Sequence, residues 1–307
     1  MSAVVEARQL GRYYGQVVGL NEVSFEIGPG VTGLVGPNGA GKSTFLKLVV
    51  GEIRPTRGAV SVLGETPFAN RRLFRRLGFC PQQDALYDSM TGFEFVRYLA
   101  RLSGLGAAES KARAERALER VRLGDAMHRR TGGYSKGMRQ RAKVAQAIAH
   151  DPELLVLDEP LNGLDPIGRR EMLDLLRELG AEGAHVLLSS HVLHEVEELT
   201  REIVLIHRGR LLAKGPVPEV RALLTRFPRK VEIQARDARR LAERLVGWEG
   251  VRAVRLDEGG GRLSVETDDS EAFHRRLTAA ASGGGFGISG LESGDASLEA
   301  IFDYLVA

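Results

Sequence analysis

Gly36-Pro37-Asn38-Gly39-Ala40-Gly41-Lys42-Ser43 fits G-x-x-x-x-G-K-[ST] at every position, with Thr44 following. The apolar run Val31–Val35 precedes it and a helical pattern begins near Lys42, the strand-then-helix setting in which such a loop grips phosphate. Glycines let successive backbone N–H groups turn inward on phosphate oxygens. The helix N-terminus adds its partial positive charge. Lys42 is placed to reach the β- and γ-phosphates of a nucleoside triphosphate, and the Ser43 hydroxyl to ligate Mg²⁺. A chance glycine-rich turn would not carry all eight residues with both flanks correct.

Far downstream, Leu154-Leu155-Val156-Leu157 is an apolar run that ends at Asp158-Glu159. A buried parallel strand reads this way. An aspartate at its end suits Mg²⁺, and Glu159, one residue beyond, suits activation of a water near the γ-phosphate. Alone, an apolar run followed by two acids is a weak signal. With a phosphate loop upstream it becomes a strong one.

Further motifs follow in a fixed order. Tyr14 stands just before Gly15, Gln82 follows Pro81, and the chain then runs through Tyr134-Ser135-Lys136-Gly137-Met138, Leu161-Asn162-Gly163-Leu164-Asp165 and Ser189-Ser190-His191. Over roughly residues 3–225 the chain resembles the nucleotide-binding subunit of ATP-binding-cassette (ABC) transporters. The resemblance implies an α/β P-loop cassette that binds ATP with Mg²⁺. It assigns Tyr14 to adenine stacking, the segment Gly36, Pro37, Asn38, Gly39, Ala40, Gly41, Lys42, Ser43 and Thr44 to the phosphates, and Ser43, Gln82 and Asp158 to the metal. Glu159, His191 and Gln82 become the catalytic group. Tyr13 competes with Tyr14, and Gln83 with Gln82, for their roles.

The segment Tyr134–Met138 departs from the family's usual LSGGQ signature. Ser135 and Gly137 are kept and are expected to contact ATP held by an opposite subunit, while Lys136 replaces a glycine and either adds charge there or faces solvent. Signatures of this Tyr-Ser-x-Gly-Met form, and the closing segment Ala296–Phe302, resemble those of exporter-type members. The implied assembly is a homodimer sandwiching two ATP molecules, docked on a separate multi-span membrane subunit at the cytoplasmic side of the membrane.

The elements that must position these residues are legible in outline. Strand and helix patterns alternate through the first part of the chain, which predicts βαβ units with a ligand at the carboxyl ends of a parallel sheet. Helical patterns fill about 84–150 and predict a helical insertion. The charge balance turns from net positive to net negative at Gly215-Pro216-Val217-Pro218. A cassette over 1–226 and an accessory domain over 227–307 are expected. The latter reads β-α-β-β-α-β, a small α+β, ferredoxin-like plan, closed by a helical face of Leu298, Ile301, Phe302 and Leu305.

Composition excludes several alternatives. The net charge of +3 is weak, so a nucleic-acid role cannot rest on charge alone, and one cysteine excludes a disulfide scaffold or a cysteine-rich zinc module. No apolar stretch approaches ~18 residues, so no helix is expected to span a membrane. Neither a second cassette nor a zinc cysteine cluster, as a relative working on nucleic acid would carry, is present in the sequence. Lys42, Glu159 and His191 are all retained, against a regulator without turnover.

Overall fold

The computed structural model describes residues 3–84, 86–220, 229–257 and 259–293. The chain divides into two units, Met1–Val217 and Pro218–Ala307. The boundary expected near residue 226, most of the helix expected over 219–225 and the closing face at Leu298, Ile301, Phe302 and Leu305 lie outside the described residues.

The first unit runs β1 (Val5–Tyr14), β2 (Val17–Ile27), β3 (Val31–Val35), α1 (Lys42–Val49), β4 (Arg57–Val62), α2 (Arg71–Phe74), β5 (Leu77–Cys80), α3 (Gly92–Leu102), α4 (Ala107–Arg120), α5 (Lys136–Ile148), β6 (Leu154–Leu157), α6 (Pro166–Ala181), β7 (His185–Ser190), α7 (Leu193–Glu197), β8 (Glu202–His207) and β9 (Arg210–Pro216). The main sheet has the order β5-β6-β7-β3-β8-β9 and is parallel except for β9. A second, antiparallel sheet pairs β2-β1-β4. Only its strand at Val23, Phe25 and Ile27 was legible as an alternation.

Strand β6 shows why an unbroken apolar run forms here. Leu155 and Leu157 enter one core with α3, α4, α5 and α6, while Leu154 and Val156 enter another with α1 and the antiparallel sheet. Successive side chains point to opposite faces, and both faces are covered, so no position can be polar. The strand ends where the next residues, Asp158 and Glu159, meet polar partners.

Between β5 and β6 the described residues form no strand. Helix α3 begins with a reciprocal cap: Glu94 N–H donates to Thr91 Oγ1 and Thr91 N–H donates to the Glu94 carboxylate. That satisfies two of the free donors at a helix start, and it holds the Glu94 carboxyl below the usual range. Alanines pack this layer: Ala100, Ala114, Ala117, Ala142 and Ala145 are all buried. Their small size lets three helices approach closely.

The second unit runs β10 (Arg229–Ala235), α8 (Ala238–Val246), β11 (Val251–Leu256), β12 (Arg262–Thr267), α9 (Ser270–Gly284) and β13 (Ile288–Ser293). Its sheet is antiparallel, in the order β11-β12-β10-β13. Val231, Ile233, Leu241, Leu245, Leu263, Val265, Phe273 and Leu277 form its core. The last strand was expected from Phe286 but begins at Ile288. Gly287 has φ 59°, which breaks the extended path, and the Phe286 carbonyl accepts from Asp237 N–H instead of joining the ladder.

Candidate active site

Four parallel strands deliver the site. The ends of β3, β5, β6 and β7 lead into the phosphate loop, Gln82, Asp158-Glu159 and His191 respectively. In an open α/β sheet the carboxyl ends of the strands are where ligands collect.

The loop after β3 ends at Gly41, which has φ 106° and serves as N-cap of α1. A Cβ there would lie 2.5 Å from the Gly19 carbonyl oxygen, so both conformation and space demand glycine. The Lys42 side chain curls back over its own loop. Its Nζ donates to the carbonyls of Gly36 (2.6 Å) and Pro37 (3.2 Å) and lies 3.3 Å from Glu159 Oε1. The side chains of Lys42 and Glu159 are each only 6 % exposed.

Register fixes the carboxylates. Leu157 of β6 is opposite Leu188 of β7, which brings Asp158 beside Ser189. The Ser189 hydroxyl donates to Asp158 Oδ1 (2.6 Å) and accepts from Glu159 N–H (2.9 Å). One hydroxyl thus orients both acids. Asp158 N–H donates to the Cys80 carbonyl (2.8 Å), tying β6 to the end of β5. Glu159 has φ 52°, left-handed for a non-glycine residue, a conformation that costs about 1–2 kcal/mol. Its carboxylate is flanked on the far side by His191, whose Nδ1 lies 2.9 Å from Oε2. His191 is half-exposed, so the bridge ends at solvent.

Gln82 lines a small cavity of about 80 Å³ together with Glu159, Asn162, Lys136 and Lys143. Below it Cys80 is fully buried, which pushes its thiol up to about 12 and leaves it inert. Tyr14 is half-exposed, its ring beside Gly19, which the Thr44 side chain also approaches. The Arg12 guanidinium rests over that ring at 4.7 Å. The neighbouring Tyr13 is tied elsewhere: its hydroxyl donates to Asn21 Oδ1 (3.0 Å) and its N–H to Thr56 Oγ1 (3.2 Å).

The signature residues make their contacts at the start of α5. Ser135 is the N-cap, accepting from Met138 N–H (3.3 Å), and Gly137 lies in the first turn. Lys136 does not simply extend into solvent. Its aliphatic stem lies across Gly163, which has φ 80°, and leaves no space for a Cβ there. Asp165 caps α6 by accepting from Gly168 N–H (2.7 Å).

The structure therefore brings Lys42, Asp158, Glu159 and His191 together, with Gln82 lining the adjoining cavity. Two groups escaped sequence reasoning in any chemical role: Ser189, seen only as part of a motif, and Lys143. Nothing local marks either one; each acts through a partner distant in sequence.

Cleaving a phosphoanhydride asks a protein to neutralise phosphate charge and to position one water. A lysine amine at the mouth of a glycine-rich helix start, with a carboxylate held beside it, meets both needs, and the class so defined is the P-loop nucleoside-triphosphatases. The ABC transporter family profile matches residues 20–162. An ABC transporter ATP-binding protein of Bacillus subtilis, YxlF, is 41% identical over 220 residues, 71% of this chain and 72% of the relative. The Nod factor export ATP-binding protein I of Burkholderia thailandensis is 35% identical over 277 residues, 90% of each chain. A solved ATP-binding subunit of an ABC transporter superposes with TM-score 0.65 at 33% identity, over 72% of this chain and 92% of that one. The chain belongs to the ABC transporter family, among its ATP-binding subunits. It is an ATPase of that kind; a solved relative, cbiO1 of Clostridium perfringens, 26% identical with TM-score 0.64 over 72% of this chain and 92% of that one, is part of an ABC transporter complex. Among the described residues no helix is long and apolar enough to cross a membrane.

Proposed function

We propose that this subunit powers export through a separate multi-span membrane protein, as a homodimer on the cytoplasmic side of the membrane. Export is favoured by two relatives: the Nod factor export protein, matched along 90% of its length, and a bacitracin transport ATP-binding protein of Enterococcus faecalis, 38% identical over 71% of its length. We read residues 227–307 as a ferredoxin-like accessory domain, a reading that the β-α-β-β-α-β element order supports.

The observation that carries the mechanism is the Glu159 carboxylate held between Lys42 and His191. Bound ATP offers Lys42 better acceptors than the carbonyls of Gly36 and Pro37. The amine turns to the β- and γ-phosphates and releases Glu159 Oε1. Glu159 then accepts a proton from the attacking water, whose oxygen bonds to the γ-phosphorus as the bond to the β-bridging oxygen breaks, giving ADP and phosphate. His191 keeps the carboxylate oriented. Tyr14, exposed where Tyr13 is tied down, stacks on adenine. Ser135 and Gly137 reach the ATP of the opposite subunit from the N-terminus of α5.

Ser43, Asp158 and Gln82 fit Mg²⁺. Their donors are a hydroxyl, a carboxylate and an amide oxygen, all hard ligands, and Asp158 has one oxygen taken by Ser189 and one left. Bound there, Mg²⁺ would neutralise phosphate charge.

Glu159→Gln tests the reading. Turnover is expected to fall at least ~10²-fold, the usual worth of a general base. ATP binding persists and an ATP-bound dimer accumulates in sedimentation. Wild-type turnover under saturating Mg-ATP would overturn the assignment. Co-purification from detergent extract of one defined multi-span protein tests the partner.

A further inference from the structure

Lys143 is a lysine whose side chain has left the surface. It lies on α5 two turns beyond the signature residues and is only 4% exposed. Its Nζ donates to three consecutive backbone carbonyls: Pro81 (2.9 Å), Gln82 (3.1 Å) and Gln83 (3.3 Å). An ammonium has three donors and no acceptor, so these three carbonyls match its whole capacity. Three successive carbonyls turned toward one point are a costly arrangement for a chain outside any helix or sheet. They stay that way because a cation sits at their focus. The same amine lines the cavity of about 80 Å³ into which Gln82 and Glu159 also face.

We propose that Lys143 is a positioning residue for ATP hydrolysis, clamping the backbone of 81–83 to the signature helix so that Gln82 is presented to the γ-phosphate and its metal. This rests on the role given to Gln82 above. The clamp also has a mechanical consequence. Ser135 caps the same helix that carries Lys143, roughly 12 Å along at 1.5 Å per residue. The signature and the Gln82 segment therefore move as one piece. Any shift of α5 on engaging a second subunit's ATP is transmitted to Gln82 without passing through the sheet.

The rest of α5 supplies a control. Gln146, one turn on from Lys143, donates from Nε2 to the Phe79 carbonyl at 2.6 Å. It ties the same helix to β5 but not to the segment 81–83. A purely structural role for Lys143 predicts equal behaviour of Lys143→Met and Gln146→Leu.

The experiment is a double-mutant cycle of Lys143→Met and Gln82→Ala in the full-length protein. Three quantities are read: kcat, the ATP affinity without metal by calorimetry, and Mn²⁺ binding to the ATP-loaded Glu159→Gln background by electron paramagnetic resonance. Lys143→Met is expected to lower kcat by roughly ten- to a hundredfold, the scale of a misplaced catalytic group. It should weaken Mn²⁺ binding several-fold while metal-free ATP affinity stays within about twofold. Adding Lys143→Met to Gln82→Ala should lower kcat no further, because the lysine acts through the glutamine. Gln146→Leu should lower Tm but leave kcat and Mn²⁺ binding unchanged. If Lys143→Met does not fold, Lys143→Gln keeps two donors and is expected to show the same changes in smaller measure. Wild-type kcat and Mn²⁺ binding in the lysine variants overturn the clamp, as do additive effects in the cycle or a Gln146→Leu that mimics them. Full activity of Gln82→Ala alone would instead remove the role given to Gln82, and the proposal with it.

Discussion

The two ends of the main sheet treat charge in opposite ways. At the carboxyl ends of the strands, Lys42, Asp158, Glu159 and Lys143 are buried, and each is bound to backbone or side-chain groups at 2.6–3.3 Å. At the amino ends, charges stand in open ion pairs. Arg76 bonds Glu153 through Nε and Nη2 at 2.6 and 2.7 Å and Glu65 through Nη1 at 2.9 Å, and Arg120 meets Glu182 at 3.0 Å, with Glu153 and Glu182 more than half exposed. Burying an ion is costly unless its partners are in place, whereas an exposed pair is nearly free to form and worth little. Charge is buried where chemistry uses it and left in water where it only helps the sheet hold together.

If that division holds, the largest effect belongs to Lys42→Ala. Removing the amine should weaken ATP binding more than tenfold, since phosphate charge then lacks a counter-charge in a buried site. Calorimetry checks this, and unchanged affinity would break the comparison at its centre.

Ser189→Ala should come next. The buried Asp158 carboxylate and the Glu159 N–H both lose their partner, an expected loss of about 1–3 kcal/mol in stability, measured by denaturant unfolding. Turnover should fall as well, because neither acid is then oriented. A variant with wild-type stability and turnover would show that register alone holds the carboxylates.

At the opposite end, Arg76→Met removes the partner of both Glu153 and Glu65 and should cost about 1 kcal/mol, the upper range for a solvent-accessible pair. Its pH dependence carries the sign. Arg76's hydrogen bond holds the Glu153 carboxyl below the usual range. The pair's contribution is full above the unfolded carboxylate value of about 4.3 and is lost as pH falls through the lower folded value. The difference in unfolding free energy between wild type and variant should therefore persist at neutral pH and close in acid. A gap that widened in acid would contradict the pairing. Arg120→Ala marks the small end of the scale, with a change within about 0.5 kcal/mol and no effect on turnover.

How much was legible follows the same divide. The phosphate loop is contiguous, and its glycines and lysine act through backbone within one turn of helix. Asp158-Glu159 were found because they follow the apolar run Leu154–Leu157, and His191 because it follows Val186–Leu188 and two serines, whereas Gln82 was assigned only through the family resemblance, from its place after Pro81. The helical stretch between β5 and β6 was visible in its helical patterns, among them Ala142, Ala145, Ile148 and Ala149. The second unit's strands and helices were visible too, apart from the late start of β13, where Gly287 and the carbonyl of Phe286 serve a turn.

What the sequence determined by itself, then, is which backbone segments can bind phosphate and where strands end in acids, because those properties need only neighbours within a few residues. The tertiary structure decided which distant groups meet. Ser189 reaches Asp158 because β7 lies between β6 and β3 with Leu157 opposite Leu188. A slip of one residue would turn that hydroxyl to the other face. Lys42 pairs with Glu159, and Lys143 with the carbonyls of 81–83, only once sheet order and helix packing have set the directions of approach. Strand order and register are chosen by the two cores jointly, and no local pattern encodes them.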